Sequence, residues 1–186
     1  MIRLLMLTAL LLLPACRAQA AQAVFAGGSF WVMEALFADR PGIERVEPGW
    51  MQGESRLQRR QVVRVHYHDD RLSYGELLRL YWQAVDVFDA GGQYCDRGTE
   101  FSPALYVDGP LQLKWARQSR SQLGLEWGRQ PEVRIFAVGR FEPAAARHQQ
   151  YYQRHSLLYA AYRSVCGYPD GRGFSLPPLL AGSRVN

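Results

Sequence analysis

The stretch that decides the fold is Ala23-Val24-Phe25-Ala26-Gly27-Gly28-Ser29-Phe30-Trp31-Val32-Met33-Glu34. A short apolar run meets two glycines, and a hydroxyl residue, two aromatic residues and a carboxylate follow. This order predicts a strand, a tight turn and the start of a helix. Glycine lets backbone approach a ligand closely, and a helix N-terminus offers unpaired N–H groups, so the turn also suits a binding site.

Two interpretations of this stretch are open from its residues alone. In the structural one, Ser29 is the N-cap of the helix, while Phe30, Met33 and Phe37 face the core at helical spacing. In the functional one, residue 29 is a nucleophile activated by its position at the helix N-terminus.

Working outward, alternation and turn residues predict the remaining elements. Strands are expected over residues 22–26, 43–48, 61–67, 104–107 and 132–138, and helices over 30–38, 74–85, 111–123 and 144–155. Ser73 and Glu76 form a capping box before the second helix. Residues 49–53 are expected to form a loop, because a glycine stands at each end. Residues 86–103 form a long irregular loop whose aromatic residues argue against disorder.

The element order favours an α+β fold. Two strand–helix–strand units with an extra helix indicate a ferredoxin-like two-layer sandwich of split βαβ units. We expect a mixed or antiparallel sheet, extra helices and an irregular C-terminal arm from Gly167 onward. The length of 186 residues suits a single domain over residues 21–186.

The N-terminus resembles an export signal. Arg3 precedes the apolar run 4–13, which is too short to span a membrane. Ala18-Gln19-Ala20 suits signal-peptide cleavage after residue 20, while Leu13-Pro14-Ala15-Cys16 resembles a lipoprotein box that ends the signal before Cys16. We therefore expect an exported, periplasmic protein, with a membrane tether only if Cys16 is lipidated.

Cysteines and charge narrow the function classes. Cys95 and Cys166 remain in the domain after either cleavage, and an oxidising compartment allows them to pair, although sequence does not place them within bonding distance. The net charge is +5. Because the basic residues are scattered, we expect no nucleic-acid binding.

Several motifs in order resemble one family, the A-type peptide methionine sulfoxide reductases, over roughly residues 22 to 168. Gly27 to Glu34 resembles that family's Gly-Cys-Phe-Trp-Gly signature with its following Glu. The other matching segments are Pro41-Gly42-Ile43, Gly49-Trp50, residues 62–67, residues 72–78, Gln93 to Phe101, His148-Gln149-Gln150-Tyr151-Tyr152 and Arg163 to Gly167.

The resemblance implies a two-stage reaction. A cysteine thiolate attacks the sulfur of methionine-S-sulfoxide, a carboxylic acid protonates the oxygen, and methionine leaves a cysteine sulfenic acid behind. A second cysteine attacks that sulfenic acid, and a thioredoxin-like dithiol reduces the disulfide. The resemblance implies no bound cofactor or metal. Its substrate is methionine sulfoxide, free or in proteins, and we expect a monomer.

The resemblance also assigns residues. Glu34 corresponds to the acid, and Cys166 to the resolving thiol. Phe30 and Trp31 correspond to the aromatic pocket for the substrate methyl group, and Asp96 to its polar side. Trp50 and Phe101 stand in the substrate site where the family often has Tyr. For each residue a structural role is the alternative: a helix-face or turn carboxylate, a core aromatic or a spare cysteine.

The main departure is Ser29, which stands at the position of the nucleophilic cysteine. Three interpretations follow: an engineered substitution in an active enzyme, a natural member without turnover, or a site where Cys95 has taken over. A member without turnover would bind oxidised methionine or act as a regulatory or interaction module. For Cys95 the alternatives are a structural cysteine or a disulfide with Cys166.

Overall fold

The computed structural model describes residues 20–53, 55 and 58–168. Its strands are β1 (Ala21–Ala26), β2 (Ile43–Gln52), β3 (Arg59–Tyr67), β4 (Gly92–Gln93), β5 (Asp96–Arg97), β6 (Ala104–Val107), β7 (Arg134–Ala137) and β8 (Glu142–Pro143). Its α-helices are α1 (Phe30–Phe37), α2 (Tyr74–Ala84), α3 (Gly109–Trp127), α4 (Tyr151–Arg154) and α5 (Ser156–Cys166). Short 3₁₀ turns cover Thr99–Phe101 and Ala146–His148.

The main sheet is mixed and has the strand order β7-β6-β1-β3-β2-β8. Only β6 and β7 pair in parallel; the other neighbouring strands are antiparallel. Strands β4 and β5 form a separate small hairpin. The predicted α+β class, with its mixed sheet and extra helices, is confirmed.

The two faces of the sheet have different coverings. On one face, Phe25 and Val65 join side chains of α1, α2 and α3 in the larger hydrophobic cluster. On the other face, Val24 and Tyr106 belong to a smaller cluster that Phe136 and Phe141 partly cover. This alternation along β1 follows from the two-residue period of a strand. It places the helix α1, and with it Ser29, on the heavily covered face.

Local signals account for the well-predicted elements. The capping box before α2 is present, since the Ser73 hydroxyl accepts from the Glu76 N–H while the Glu76 carboxylate accepts from the Ser73 N–H. Helix α3 is longer than predicted, because it begins at Gly109 with a proline in its first turn and ends where Gly128 is left-handed.

Two predicted elements were wrong. Residues 49–52 are not a loop but continue strand β2, with Trp50 opposite Gln61. Residues 144–155 are not one helix: a 3₁₀ turn is followed by Gln150 in the left-handed region (φ 53°), and α4 and α5 come after it. The long loop 86–103 contains the β4–β5 hairpin, which the sequence did not indicate.

Some predictions fall outside the described residues. The export signal with Cys16 precedes residue 20, and the predicted C-terminal arm lies beyond Tyr168. Among the helices that the structure describes, none combines the length and the apolar character needed to cross a membrane.

Candidate active site

Ser29 stands at the N-cap of α1 with extended backbone angles, but its hydroxyl does not cap the helix. The oxygen is buried and hydrogen-bonds no described residue. A buried hydroxyl without a partner is costly unless a ligand or water supplies one. The geometry therefore leaves Oγ of residue 29 available to a ligand.

Asp96 lies directly against this helix start. Its Oδ2 accepts a hydrogen bond from the Ser29 N–H at 2.9 Å and another from the Tyr168 hydroxyl at 3.0 Å. A carboxylate at a helix N-terminus is favourably placed in the field of the helix. Asp96 thus lies beside Ser29, and the role that the resemblance assigns to it, on the polar side of the substrate site, stays a prediction.

Two tyrosines complete the polar side. Burial first, and neighbouring Asp96 next, raise the pKa of Tyr162 to about 12. Burial, together with Tyr162 and Asp96, also raises the pKa of Tyr168 well above its usual value. Both phenols stay neutral at physiological pH and can act as hydrogen-bond donors. The Tyr162 hydroxyl is buried and close enough to Asp96, Tyr168 and Ser29 for all three to affect its pKa, but it makes no hydrogen bond of normal geometry with any of them.

The aromatic side chains divide into two groups. The Phe30 ring packs edge-on against Trp50 at 5.0 Å and tilts against His148 at 5.7 Å. Trp31 instead packs against three tyrosines of the C-terminal helices, Tyr151, Tyr159 and Tyr162. Consecutive helical residues do not face each other. Phe30 therefore shares its pocket with Trp50, while Trp31 reaches the site through Tyr162.

Glu34, the predicted acid, lies on α1 five residues after Ser29. Its side chain is 2% exposed, and Oε1 accepts from the Gln150 N–H at 2.8 Å. Burial raises its pKa to about 7, against the opposing effect of the Gln150 hydrogen bond. The carboxylate therefore ties α1 to the segment before α4, and its role as an acid stays a prediction.

Phe101 meets the site through its backbone. Its carbonyl accepts from the Gly28 N–H at 2.9 Å, which fixes the turn before Ser29. Gly28 has a φ of 91°, and a Cβ there would lie 2.9 Å from the Tyr168 hydroxyl and 3.3 Å from Asp96 Oδ2. Only glycine fits this approach without strain.

Sequence reasoning missed Gln61 and Gln93. Gln61 Oε1 accepts from the Phe30 N–H at 3.0 Å, so its side-chain amide borders the start of α1. Gln93 is fully buried and ties together both ends of the 86–93 loop through Asp86 and Gly92. The sequence did carry a signal for Gln61: it lies in an alternating strand whose odd-numbered residues face the helices, so its side chain could have been expected on the same face as α1. Tyr168, also missed, carried no such signal.

The structure joins the predicted resolving cysteine to another cysteine. Cys95 and Cys166 form a disulfide with a Cα–Cα distance of 5.4 Å. The bond joins the end of α5 to the hairpin that carries Asp96. Its C-terminal partner, Cys166, is two residues before Tyr168. In this state neither of the two described cysteines is a free thiol.

Other kinds of site are less well supported by the described residues. Within residues 20–53, 55 and 58–168 there is no group of three or more His, Cys, Asp or Glu residues arranged to hold a metal ion. Two cavities of about 220 and 200 Å³ lie elsewhere in the molecule, and Ser29 lines neither.

Comparisons with known proteins identify the family of the chain. The model of the family described as "Peptide methionine sulfoxide reductase" matches residues 21–170. "Peptide methionine sulfoxide reductase MsrA 2" of Rhizobium meliloti is 34% identical over 179 residues, covering 90% of each chain. "Peptide methionine sulfoxide reductase MsrA 2" of Caulobacter vibrioides is 38% identical, covering 78% of this chain and 80% of the relative. The chain therefore belongs to the peptide methionine sulfoxide reductase family.

Solved structures show the same fold. The reduced form of Mxr1 from Saccharomyces cerevisiae aligns with a TM-score of 0.69 at 18% identity, covering 87% of this chain and 91% of that one. Methionine sulfoxide reductase A of Corynebacterium diphtheriae aligns with a TM-score of 0.65 at 19% identity, covering 87% and 83%. Mxr1 in complex with Trx2 aligns with a TM-score of 0.53 at 20% identity, covering 73% and 86%.

Proposed function

We propose that this protein binds methionine-S-sulfoxide at the Ser29 site and does not reduce it, because Ser29 replaces the sulfur that reduction requires. The observation that carries this proposal is the Ser29 hydroxyl, which is buried and unpartnered at the start of α1. Asp96 and Tyr162 lie on its polar side, and Phe30 with Trp50 offers an apolar wall. Family membership supports methionine sulfoxide as the ligand.

The electron balance explains why turnover is absent. Conversion of a sulfoxide to a thioether takes two electrons and removes the oxygen. A cysteine can supply those electrons, since its sulfur takes the oxygen and becomes a sulfenic acid. A serine oxygen has no comparable oxidised state, and its hydroxyl is a much weaker acid than a thiol. The disulfide between Cys95 and Cys166 leaves no other described thiol to attack.

The binding part of the proposal is tested by titrating the purified protein with a short peptide containing methionine-S-sulfoxide, followed by calorimetry. We expect saturable binding that Trp50→Ala weakens and that the control Trp127→Ala, at the exposed end of α3, leaves unchanged. Absence of saturable binding would favour the different function of a regulatory or interaction module.

The chemical part is tested with Ser29→Cys. Wild type should release no methionine in the presence of a dithiol. Without a reductant, the variant should form about one methionine per protein, because each thiol takes one oxygen and becomes a sulfenic acid. A thiolate at the start of α1 is stabilised by the helix. Methionine released by wild type would overturn the proposal. A variant that binds the peptide but releases none would show that further groups are missing.

The thioredoxin complex of Mxr1 supports a thioredoxin-like dithiol as the reductant that such a variant would use. We also propose that the protein is exported and acts in the periplasm. The apolar run near the N-terminus supports this, and so does a disulfide, which persists in oxidising compartments. Cleavage after residue 20 or before Cys16 would be distinguished by the mass of the protein isolated from cells.

A further inference from the structure

Arg60 is a buried cation on the face of the sheet that lies opposite to Ser29. Its neighbour Gln61 points to the start of α1, so the alternation of β3 directs Arg60 to the other side. There the residue is only 3% exposed, and its guanidinium carbon lies 5.0 Å from the centre of the Phe136 ring. Its Nε donates to the Ser102 hydroxyl at 2.9 Å.

The charge of Arg60 has no counter-charge among the described residues. The ion pairs found there join Arg45, Arg64 and His66 to Glu47, Arg59 to Glu142, and Arg97 to Asp89. Arg60 Nη1 is buried and has no hydrogen-bond partner. A buried charge is expensive unless it is both paired and hydrogen-bonded. A water molecule would satisfy the N–H group but would leave the charge uncompensated.

A polar cavity of about 200 Å³ adjoins this guanidinium. The side chains with polar groups along its wall are Gln58, Arg60, Thr99, Ser102, Glu132 and Arg134. They include the guanidinium of Arg60 and the hydroxyl of Thr99, and the single carboxylate among them is that of the exposed Glu132. Gln58 also has a buried and unpartnered side-chain oxygen, and a half-turn of its amide would present the NH₂ group instead.

We propose that this cavity binds a small tetrahedral oxyanion, of the kind represented by inorganic phosphate or sulfate, through the guanidinium of Arg60. Guanidinium groups pair with oxyanions through strong, charge-assisted hydrogen bonds. The Thr99 hydroxyl on the cavity wall is a further donor for the acceptor oxygens of an anion. The Ser102 hydroxyl donates to the Thr99 carbonyl at 2.7 Å and, by accepting from Nε, holds the Arg60 guanidinium in place. The cavity is larger than a chloride ion needs. Thr99 and Ser102 lie on either side of Phe101, whose carbonyl accepts a hydrogen bond from the Gly28 N–H. Gly28 precedes Ser29, so the anion site is close to the Ser29 site along the chain but lies on the other side of the sheet.

The proposal is tested by recording amide NMR spectra of the full-length protein during titration with sodium phosphate, with sodium chloride at the same ionic strength as the reference. We expect saturable shifts centred on the amides of Gln58, Thr99 and Ser102. Arg60→Met should abolish these shifts. The matched control is Arg59→Met, which changes the preceding residue of the strand, an exposed arginine paired with Glu142. This control variant should keep the phosphate-dependent shifts. Thr99→Val should weaken the binding by about tenfold, the effect of one lost hydrogen bond.

Two results would overturn the proposal. The first is the absence of saturable, phosphate-specific shifts in the wild type. The second is an unchanged response in Arg60→Met or, if that variant does not fold, in Thr99→Val. Tighter saturation by acetate than by phosphate would contradict the tetrahedral geometry.

Discussion

At the scale of single residues, the site depends on how closely backbone and side chains approach around Ser29. The Asp96 carboxylate receives the Ser29 N–H and the Tyr168 hydroxyl on one oxygen atom. Such a convergence is possible only because residue 28 has no side chain and adopts a φ of 91°. A glycine is therefore required at position 28 for a steric reason, which does not depend on the chemistry of residue 29.

Gly28→Ala should lower the free energy of unfolding by about 2 kcal/mol, because an L-residue is strained at positive φ. The new methyl group would also lie 2.9 Å from the Tyr168 hydroxyl and would push it away from Asp96. Urea denaturation measures the effect. The control is Gly75→Ala in α2, where the nearest atom would be 3.8 Å away and alanine should stabilise the helix by up to about 1 kcal/mol. A Gly28→Ala protein as stable as wild type would contradict this account.

At the scale of elements, Glu34 connects α1 to the segment before α4. Its carboxylate is buried and receives the N–H of Gln150, a residue in the left-handed region. The second oxygen, Oε2, is buried without a hydrogen-bond partner among the described residues. Removal from water outweighs the single hydrogen bond, and the pKa of the group is raised to about 7.

The raised pKa of Glu34 predicts how stability changes with pH. Between pH 4.5, the ordinary pKa of a glutamate, and about pH 7, the folded protein keeps the proton that the unfolded chain has lost. Stability contributed by this group should therefore fall as the pH rises through that range, by about 3 kcal/mol at most. Glu34→Gln removes the titration and should be more stable than wild type above pH 7. The measurement is the free energy of unfolding in urea at several pH values.

A matched control separates this effect from the general acid sensitivity of the protein. Glu126→Gln changes an exposed residue on α3 and should retain the pH dependence of the wild type. If Glu34→Gln instead shows the same slope as wild type between pH 5 and pH 7, the buried carboxylate does not titrate as described.

The elements also show what could be predicted from the sequence and why the rest could not. The capping box at Ser73 and the Gly-Gly-Ser turn are local signals, and both lie where they were expected. The helix break at Gln150 could not be predicted locally, because no glycine or proline stands there. The left-handed Gln150 instead donates its N–H to the carboxylate of Glu34, 116 residues earlier in the chain. Gly49 suggested a loop, but it lies in a strand. The residue is a glycine there because the Phe141 ring packs where a Cβ would be.

The residues of the candidate site also fall into those that could be identified from the sequence and those that could not. The aromatic residues and Asp96 were identified through the resemblance of ordered motifs, and the structure brings Phe30, Trp50, Asp96 and Ser29 to one end of α1. Glu34 was assigned as an acid through the same motif; the structure shows that its carboxylate contacts Gln150, and its role as an acid stays a prediction. Tyr162 and Tyr168 could not be identified, because they reach the site only through the folding of the C-terminal helices onto α1.

At the scale of the whole molecule, one covalent link holds the C-terminal helices to the loop that carries Asp96. The disulfide joins residues separated by 71 positions, Cys95 in the hairpin loop and Cys166 at the end of α5. Tyr159 and Tyr162 of α5 pack on Trp31, but Leu157 and Val165 are 87% and 84% exposed, so much of the apolar surface of the helix stays unburied. The position of Tyr162 and Tyr168 over the site therefore depends on this bond more than on burial of apolar surface.

Reduction of the disulfide should consequently lower the free energy of unfolding by about 4 kcal/mol, the loop-closure entropy expected for a loop of this length. It should also weaken binding of the sulfoxide peptide, because Tyr162 and Tyr168 would lose their fixed positions beside Asp96. Mass spectrometry of peptides from the oxidised protein should first find Cys95 and Cys166 joined. Urea denaturation and peptide titration would then be carried out with and without a dithiol. The double variant Cys95→Ser/Cys166→Ser should match the reduced wild type in both measurements and should not respond to the dithiol. Equal stability of oxidised and reduced wild type would show that packing alone holds α5 in place.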